Sequence, residues 1–135
     1  MEIRKYKKED KNKVMEIIKE EGKEWECYSK SNVQDKYKKA LNNSITYVAY
    51  IDEELCGYSR SIDDSGFFVY VCDLLVSPKF RGKNIGRELM ECIYKDFPDK
   101  IVYVMSDVDE YYKKQGYRKE GSVFEVLKDR KYKNK

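Results

Sequence analysis

Apolar residues recur along this chain with two periods, one near 3.6 residues and one near 2. Val14, Ile17 and Ile18 fall at helical spacing within residues 8–21, where Glu9 and Asp10 complement the dipole at the start and Gly22 supplies a stop. Trp25 and Tyr28 follow in a connecting stretch. Ser31 is placed to cap a second helix reaching Leu41, where Asn42-Asn43 breaks it. Alternation takes over at Ile45, Tyr47, Ala49 and Ile51, which predicts a strand with these four on one face. The polar turn Asp52-Glu53-Glu54 leads into a second strand over 55–62 and so predicts a hairpin. Asp63-Asp64-Ser65-Gly66 is a further turn. Residues 67–76 are the most apolar segment and predict a central strand covered on both sides. Ile85, Leu89, Met90 and Ile93 mark one face of a helix that stops before Pro98. A strand over 100–105, a short helix from an Asp107 cap to Gln115, and a last strand over 122–127 complete the chain, with a first strand at 2–6. The order is strand, two helices, three strands, helix, strand, helix, strand. That is a mixed α/β (α+β) domain with one sheet flanked by helices, and 135 residues suit a single domain over 1–135.

Composition removes several function classes. The chain has no histidine, which excludes Ser-His-Asp chemistry and histidine-ligated metal sites. Cys27, Cys56, Cys72 and Cys92 form no C-x-x-C pair, so free buried thiols in a reducing cytoplasm are expected, and no metal. The 28 basic and 25 acidic side chains leave a net charge of only +3, an interleaved surface with no nucleic-acid footprint. The basic tail from Lys128 through 129–135 is the exception and reads as a solvated terminus. No apolar run approaches the roughly 20 residues of a membrane-spanning helix. A soluble, cytoplasmic protein is expected, with neither membrane nor nucleic acid as a partner.

The chemistry concentrates between Val69 and Met90. A buried strand runs into Arg81-Gly82-Lys83-Asn84-Ile85-Gly86, and a helix follows at once. Glycine lets backbone approach a ligand closely. The unpaired N–H groups of a helix's first turn, aided by its dipole, bind anions. Arg81, Lys83 and Arg87 add positive charge, so a pyrophosphate is a natural guest. The spacing fits neither G-x-x-x-x-G-K-[ST] nor G-x-G-x-x-G.

This segment resembles the acetyl-CoA motif [RQ]-x-x-G-x-[GA] of the GNAT superfamily of acyl-CoA N-acyltransferases. Arg81 takes the first position and Gly86 the last, and Asn84 replaces the middle glycine. Asn tolerates left-handed backbone best after Gly. Tyr111-Tyr112-Lys113-Lys114-Gln115-Gly116-Tyr117 is similar to the family's Y-x-x-x-G-[FY] element. Met105 stands where an asparagine is common. The resemblance implies a mostly antiparallel sheet and a cofactor site of Leu74, Leu75, Val76, Arg81, Gly82, Lys83, Asn84, Ile85, Gly86 and Arg87. It implies acetyl-CoA as co-substrate, with Tyr112 near its sulfur as general acid. Asp73 is the first candidate to take the amine's proton, ahead of Asp64 and Glu26. A backbone N–H near Leu75 or Val76 is the expected oxyanion donor. The implied activity is direct acetyl transfer to a primary amine of a small molecule or peptide, with the acceptor pocket built from the first two helices and residues 22–32. A catalytically silent CoA-binding module is the alternative, and a homodimer fits proteins of this kind.

Overall fold

The computed structural model describes residues 1–129. These fall into two compact units, one covering Met1–Val104 and one beginning at Met105.

The first unit holds strands β1 (Glu2–Lys5), β2 (Ile45–Ile51), β3 (Glu54–Asp63), β4 (Phe68–Val76) and β5 (Ile101–Val104) in a single sheet ordered β1-β2-β3-β4-β5. Every pairing is antiparallel except β4 with β5. The parallel pair requires a crossover, and α4 (Ile85–Asp96) makes it. On the other face lie α1 (Lys11–Glu21), the single turn α2 (Glu26–Ser29) and α3 (Gln34–Asn43). Their apolar stripe packs on the sheet as one cluster containing Val14, Ile18, Leu41, Val48, Tyr58 and Leu75. Burying a side chain such as Ile18 or Leu41, both fully inaccessible, contributes about 1.5–3 kcal/mol.

Both faces of β2 are covered, so Thr46 and Val48 are buried as well as Tyr47 and Ala49. The alternation predicted for this strand describes one face of a two-sided element. Tyr47 donates its phenol proton to Asp96 of α4, while Val48 packs against α1 and α3.

The first helix is preceded by a 3-10 turn, Lys8–Asp10. Asp10 does more than complement the dipole. Its buried carboxylate accepts the Lys7 N–H (2.7 Å), the Tyr50 phenol (2.6 Å) and both terminal nitrogens of Arg4 (2.8 and 2.9 Å). Burial works against its ionisation, and these donors outweigh that, holding Asp10 below the usual carboxylate range. The second long helix begins at Gln34, later than the Ser31 cap predicts, because residues 30–33 form a turn closed by Val33 N–H to Lys30 O (2.9 Å).

Gly57 marks where β3 passes beneath the start of α4. A Cβ there would lie 3.0 Å from the Leu75 carbonyl oxygen and 3.4 Å from the side chains of Ile85 and Val76. Gly57→Ala is expected to cost about 1–3 kcal/mol by overpacking. Urea unfolding checks this, and an unchanged midpoint would show that the strand and helix can part freely.

In the second unit, α5 (Asp109–Lys114) begins after Val108 with no side-chain cap, so Asp107 does not cap it, and Ser106 closes the turn before it. The Ser106 hydroxyl accepts the Val108 N–H (3.1 Å) and donates to Asp109 (2.7 Å). The strand predicted over 122–127 is not formed. A strand needs a partner for its N–H and C=O groups, and Val123, Phe124 and Val126 are 75%, 85% and 93% exposed. Most of the basic tail lies outside the described residues.

Candidate functional site

The pairing of β4 creates an opening. β5 follows β4 only from Phe68↔Ile101 to Val71↔Val104. At the same point the β3 register slips: Ser61 faces Val71 and Arg60 faces Asp73, so Cys72 is an extra residue on β4. Such a bulge bends its strand and raises the local twist. Beyond it, residues 73–76 pair with β3 and have no partner on the β5 side among the described residues.

The alternation of antiparallel bonds tells which backbone groups face that free edge. Ser77 N–H bonds the Cys56 carbonyl (2.8 Å), so the pair one step back, Val76↔Gly57, is not hydrogen-bonded. Val76 and, two residues earlier, Leu74 therefore turn their N–H and C=O outward, while Leu75 bonds toward β3. Of the three expected positions, Leu74 carries available backbone and Val76 an available N–H, its carbonyl being taken by Arg81. Leu75 instead buries its side chain in the core.

β4 runs into a 3-10 turn, Pro78–Phe80, and then into α4. Gly82 has φ +82° and Asn84 adopts φ 63°, ψ 20°. The left-handed conformation predicted for Asn84 is thus present, and it serves as the helix N-cap. Glu88 N–H is bonded to Asn84 O (3.0 Å), which leaves the N–H groups of Ile85, Gly86 and Arg87 as first-turn donors without helical acceptors.

The basic side chains are more engaged than their positions suggest. Arg81 folds back, donating Nε to the Val76 carbonyl (3.0 Å) and a terminal nitrogen to Glu21 (2.8 Å). Glu21, at the end of α1, holds its other carboxylate oxygen buried and without a partner. Lys83 lies over the Phe80 ring and Arg87 pairs with Glu91. Backbone N–H groups are thus the main anion donors here, with positive charge grouped around them. Together with the outward backbone of Leu74 and Val76, this donor set fits a pyrophosphate and an amide-bearing arm, the chemistry of coenzyme A.

Asp73 sits at the head of the free edge and is 5% exposed. Its Oδ2 accepts Arg60 Nε (2.6 Å) and the Tyr37 phenol (2.7 Å), and its Oδ1 accepts the Tyr28 phenol (2.8 Å). Tyr37 and Tyr58 hydroxyls share a further bond (2.8 Å), and the Tyr28 and Tyr37 rings stack at 4.1 Å. Burial, then the neighbouring Tyr58 and Asp73, raises the Tyr37 phenol far above its ordinary range, and burial with Asp73 raises Tyr28. Burial opposes the charge on Arg60, but the Asp73 carboxylate more than restores it. Sequence reading singled out Asp73 and Tyr28 but not their junction through Tyr37. The only signal for Tyr37 was its spacing four residues before Leu41 on the buried stripe of α3.

The weaker candidates have other work. Asp64 closes its turn by accepting the N–H groups of Gly66, Phe67 and Phe68 (2.8–2.9 Å). Glu26 pairs loosely with Lys30 at 3.8 Å. The four cysteines are free, and Cys27 is exposed rather than buried. Tyr112 lies in the second unit, on α5, between Tyr111 (5.0 Å, edge-on) and Tyr117 (6.2 Å, stacked). Burial, with those two phenols beside it, pushes its pKa up to about 12.

Comparison with known proteins bears on this geometry. Residues 42–119 match the family model described as an acetyltransferase (GNAT) domain. Among curated proteins, the chain is 26% identical over 95 residues to an uncharacterized N-acetyltransferase, ycf52, of Pyropia yezoensis, covering 63% of this chain and 55% of that one. A ycf52-like protein of Prochlorococcus marinus is 27% identical over 90 residues, covering 59% and 50%. The chain thus spans about half the length of the curated relatives it matches. Among solved structures, a GNAT-family acetyltransferase from Streptococcus pneumoniae superposes with a TM-score of 0.73 at 18% identity, covering 95% of this chain and 98% of that one. AAC(6')-Iy, in complex with a CoA-containing bisubstrate analogue, gives a TM-score of 0.75 at 14% identity, covering 95% and 97%. At these identities the likeness is one of fold. The family match extends over more than half of the residues and includes the strand, loop and helix just described, and by it this chain belongs to the GNAT acetyltransferase family.

Proposed function

We propose that this protein transfers the acetyl group of acetyl-CoA directly to a primary amine of a small molecule or peptide. The observation that carries this reading is the free edge of β4, which leads through the turn Pro78–Phe80 and a short loop into the donor-rich start of α4. Acetyl-CoA, when bound, supplies an acetyl thioester open to attack by an amine. The outward N–H groups of Leu74 and Val76 are the chain's donors for charge that builds on a carbonyl oxygen at that edge. Loop 81–86 and the first turn of α4 hold the pyrophosphate.

On the acceptor side, Asp73 already receives three donors, which makes it a better anchor than base. It fixes the Tyr28 hydroxyl proton toward itself and so turns that oxygen's lone pairs outward to accept a hydrogen bond from the amine, whose proton, lost on acetylation, passes to solvent water. Asp73 acts as a positioning residue in this scheme, and Tyr28 makes the contact. Tyr112 holds a proton for the departing thiolate, a role that rests on its place in the family's second motif. With its pKa raised to about 12, the phenol stays protonated throughout the neutral range.

Acetyl-CoA-dependent thiol release across a panel of amines tests the activity. Release with at least one amine is expected. Tight acetyl-CoA binding without release on any amine would favour the silent CoA-binding module. Tyr112→Phe is expected to slow turnover about 10²–10⁴-fold, the usual contribution of a positioned general acid, with acetyl-CoA affinity retained. A wild-type rate would remove Tyr112 from the reaction.

A further inference from the structure

The two oxygens of Asp73 are loaded unequally. Oδ2 accepts two donors, Arg60 Nε (2.6 Å) and the Tyr37 phenol (2.7 Å). Oδ1 accepts one, the Tyr28 phenol (2.8 Å). Tyr37 spends its single proton on Oδ2, so the bond it shares with Tyr58 (2.8 Å) is donated by Tyr58. Tyr58 is fully buried, and its hydroxyl has Tyr37 as its hydrogen-bond partner among the described residues. Reversing that chain would leave the Tyr58 proton buried without an acceptor, so the Oδ2 side is fixed. The Oδ1 side is not. Tyr28 is half-buried, and its hydroxyl can give its proton to Oδ1 or turn it outward and accept instead.

The charge on Asp73 decides between the two. A carboxylate only accepts, whereas a carboxylic acid has a proton to donate. Asp73 is 5% exposed, where an unpaired charge is costly. The groups that face it are Tyr28 from α2, Tyr37 from α3, Tyr58 and Arg60 from β3, and Cys72 beside it on β4. Burial raises the three phenols and the Cys72 thiol, which keeps them neutral. Among these groups Arg60 supplies the counter-charge, its guanidinium lying 5.4 Å from the centre of the Tyr37 ring.

We propose that Arg60 is a positioning residue for the acceptor: by keeping Asp73 charged it fixes the direction of the Tyr28–Asp73 hydrogen bond, so that the Tyr28 oxygen meets the amine as an acceptor. Without the guanidinium, Asp73 takes up a proton from solvent. That proton goes to Oδ1, because the Oδ2 side cannot reverse. The acid then donates to Tyr28, whose own proton turns outward and meets the amine donor against donor. This inference rests on the proposed acetyl transfer and adds a residue to it.

Arg60→Gln keeps a neutral donor for Oδ2 and removes the charge. Infrared spectra of the folded variant at neutral pH are expected to show a protonated carboxyl band that wild type lacks and that Arg60→Gln with Asp73→Asn loses. Turnover is read as thiol release from acetyl-CoA with an amine that wild type acetylates, as the ratio of variant to wild type at each pH. The amine's own ionisation divides out of that ratio. Over about pH 5 to 8 the ratio is expected to fall toward low pH, by up to about tenfold per unit for a single protonation. Arg60→Lys restores the charge and is expected to give a ratio that does not change with pH. With Tyr28→Phe in both proteins, the slope of Arg60→Gln is expected to vanish. A residue that served packing alone would lower the rate equally at every pH. No carboxyl band, a flat ratio in Arg60→Gln, a slope in Arg60→Lys, or a slope that survives Tyr28→Phe would overturn the inference. Should Arg60→Gln fail to fold, Arg60→Met decides by the same band and ratio. Failure of the transfer reading shows separately, in wild type, as no thiol release with any amine, and the carboxyl band alone then decides whether Arg60 holds the charge on Asp73.

Discussion

Gly86→Glu is expected to weaken acetyl-CoA binding at least a hundredfold, read by calorimetry beside the wild-type protein. Gly86 lies buried in the first turn of α4, among the N–H groups without helical acceptors. A glutamate there adds bulk and a negative charge at the point where an anion would be held. Hydrogen bonds to a charged group are each worth about 1.5–3 kcal/mol, and a hundredfold loss needs only about 2.7 kcal/mol. Loss of one or two such bonds is enough. Thermal unfolding of the variant separates lost binding from lost fold. Wild-type affinity in a folded variant would move the pyrophosphate off this loop and remove the main support for the proposed function.

The second large effect is on stability. Asp73→Ala is expected to destabilise the protein by about 3–5 kcal/mol, because removing one partner of a buried ion pair strands the other. Arg60, whose side chain is 14% exposed, would lose its counter-charge. Tyr28 and Tyr37 would lose their acceptor in the same step. Urea unfolding reads the loss directly. A change below about 1 kcal/mol, the usual worth of an exposed pair, would show that water reaches the cluster and replaces the carboxylate. Asp73→Asn separates the anchoring role from direct proton uptake. The amide keeps an oxygen for a phenol but cannot take the amine's proton as a carboxylate would. Turnover falling in step with Tyr28→Phe supports the anchor. A far larger loss in Asp73→Asn than in Tyr28→Phe would make Asp73 the proton acceptor itself.

The two predictions touch the start of α4 and the interior of β4, and the end of α1 with the segment that follows it is tied to the strand between them. Glu21 holds Arg81 at the Val76 end, and Tyr28 holds Asp73 near the bulge. Residues that would meet the acceptor are thereby fixed relative to the strand that would carry the thioester arm. Orientation of this kind is a large part of what catalysis by positioning requires.

Much of this was written locally in the chain. Helical spacing placed α1 and α4, alternation placed β2, the polar turn after it placed β3, and the apolar run placed β4. The loop could be read because its chemistry is local: glycine, asparagine and a helix start act within a few residues. Asn84 is the clearest case, since its left-handed backbone follows from residue type and position in the motif. The segment over 122–127 shows the limit of such reading. Its apolar residues suit a strand, yet a strand exists only through a partner, and partners are not encoded within six residues. The same reason hid the Cys72 bulge, which is a mismatch between two strands and belongs to neither alone. Side-chain roles diverged likewise. Arg81 and Asp73 occupy the expected positions, but their charges are already met by Glu21 and Arg60, from elements 60 and 13 residues away. Sequence by itself determined most of the elements and the family, because those depend on periodicity and short-range motifs. Only the tertiary structure decided which charges are free, which backbone groups of β4 face outward, and which aromatic rings stand together beside them, because each of these depends on what distant segments bring to the same place.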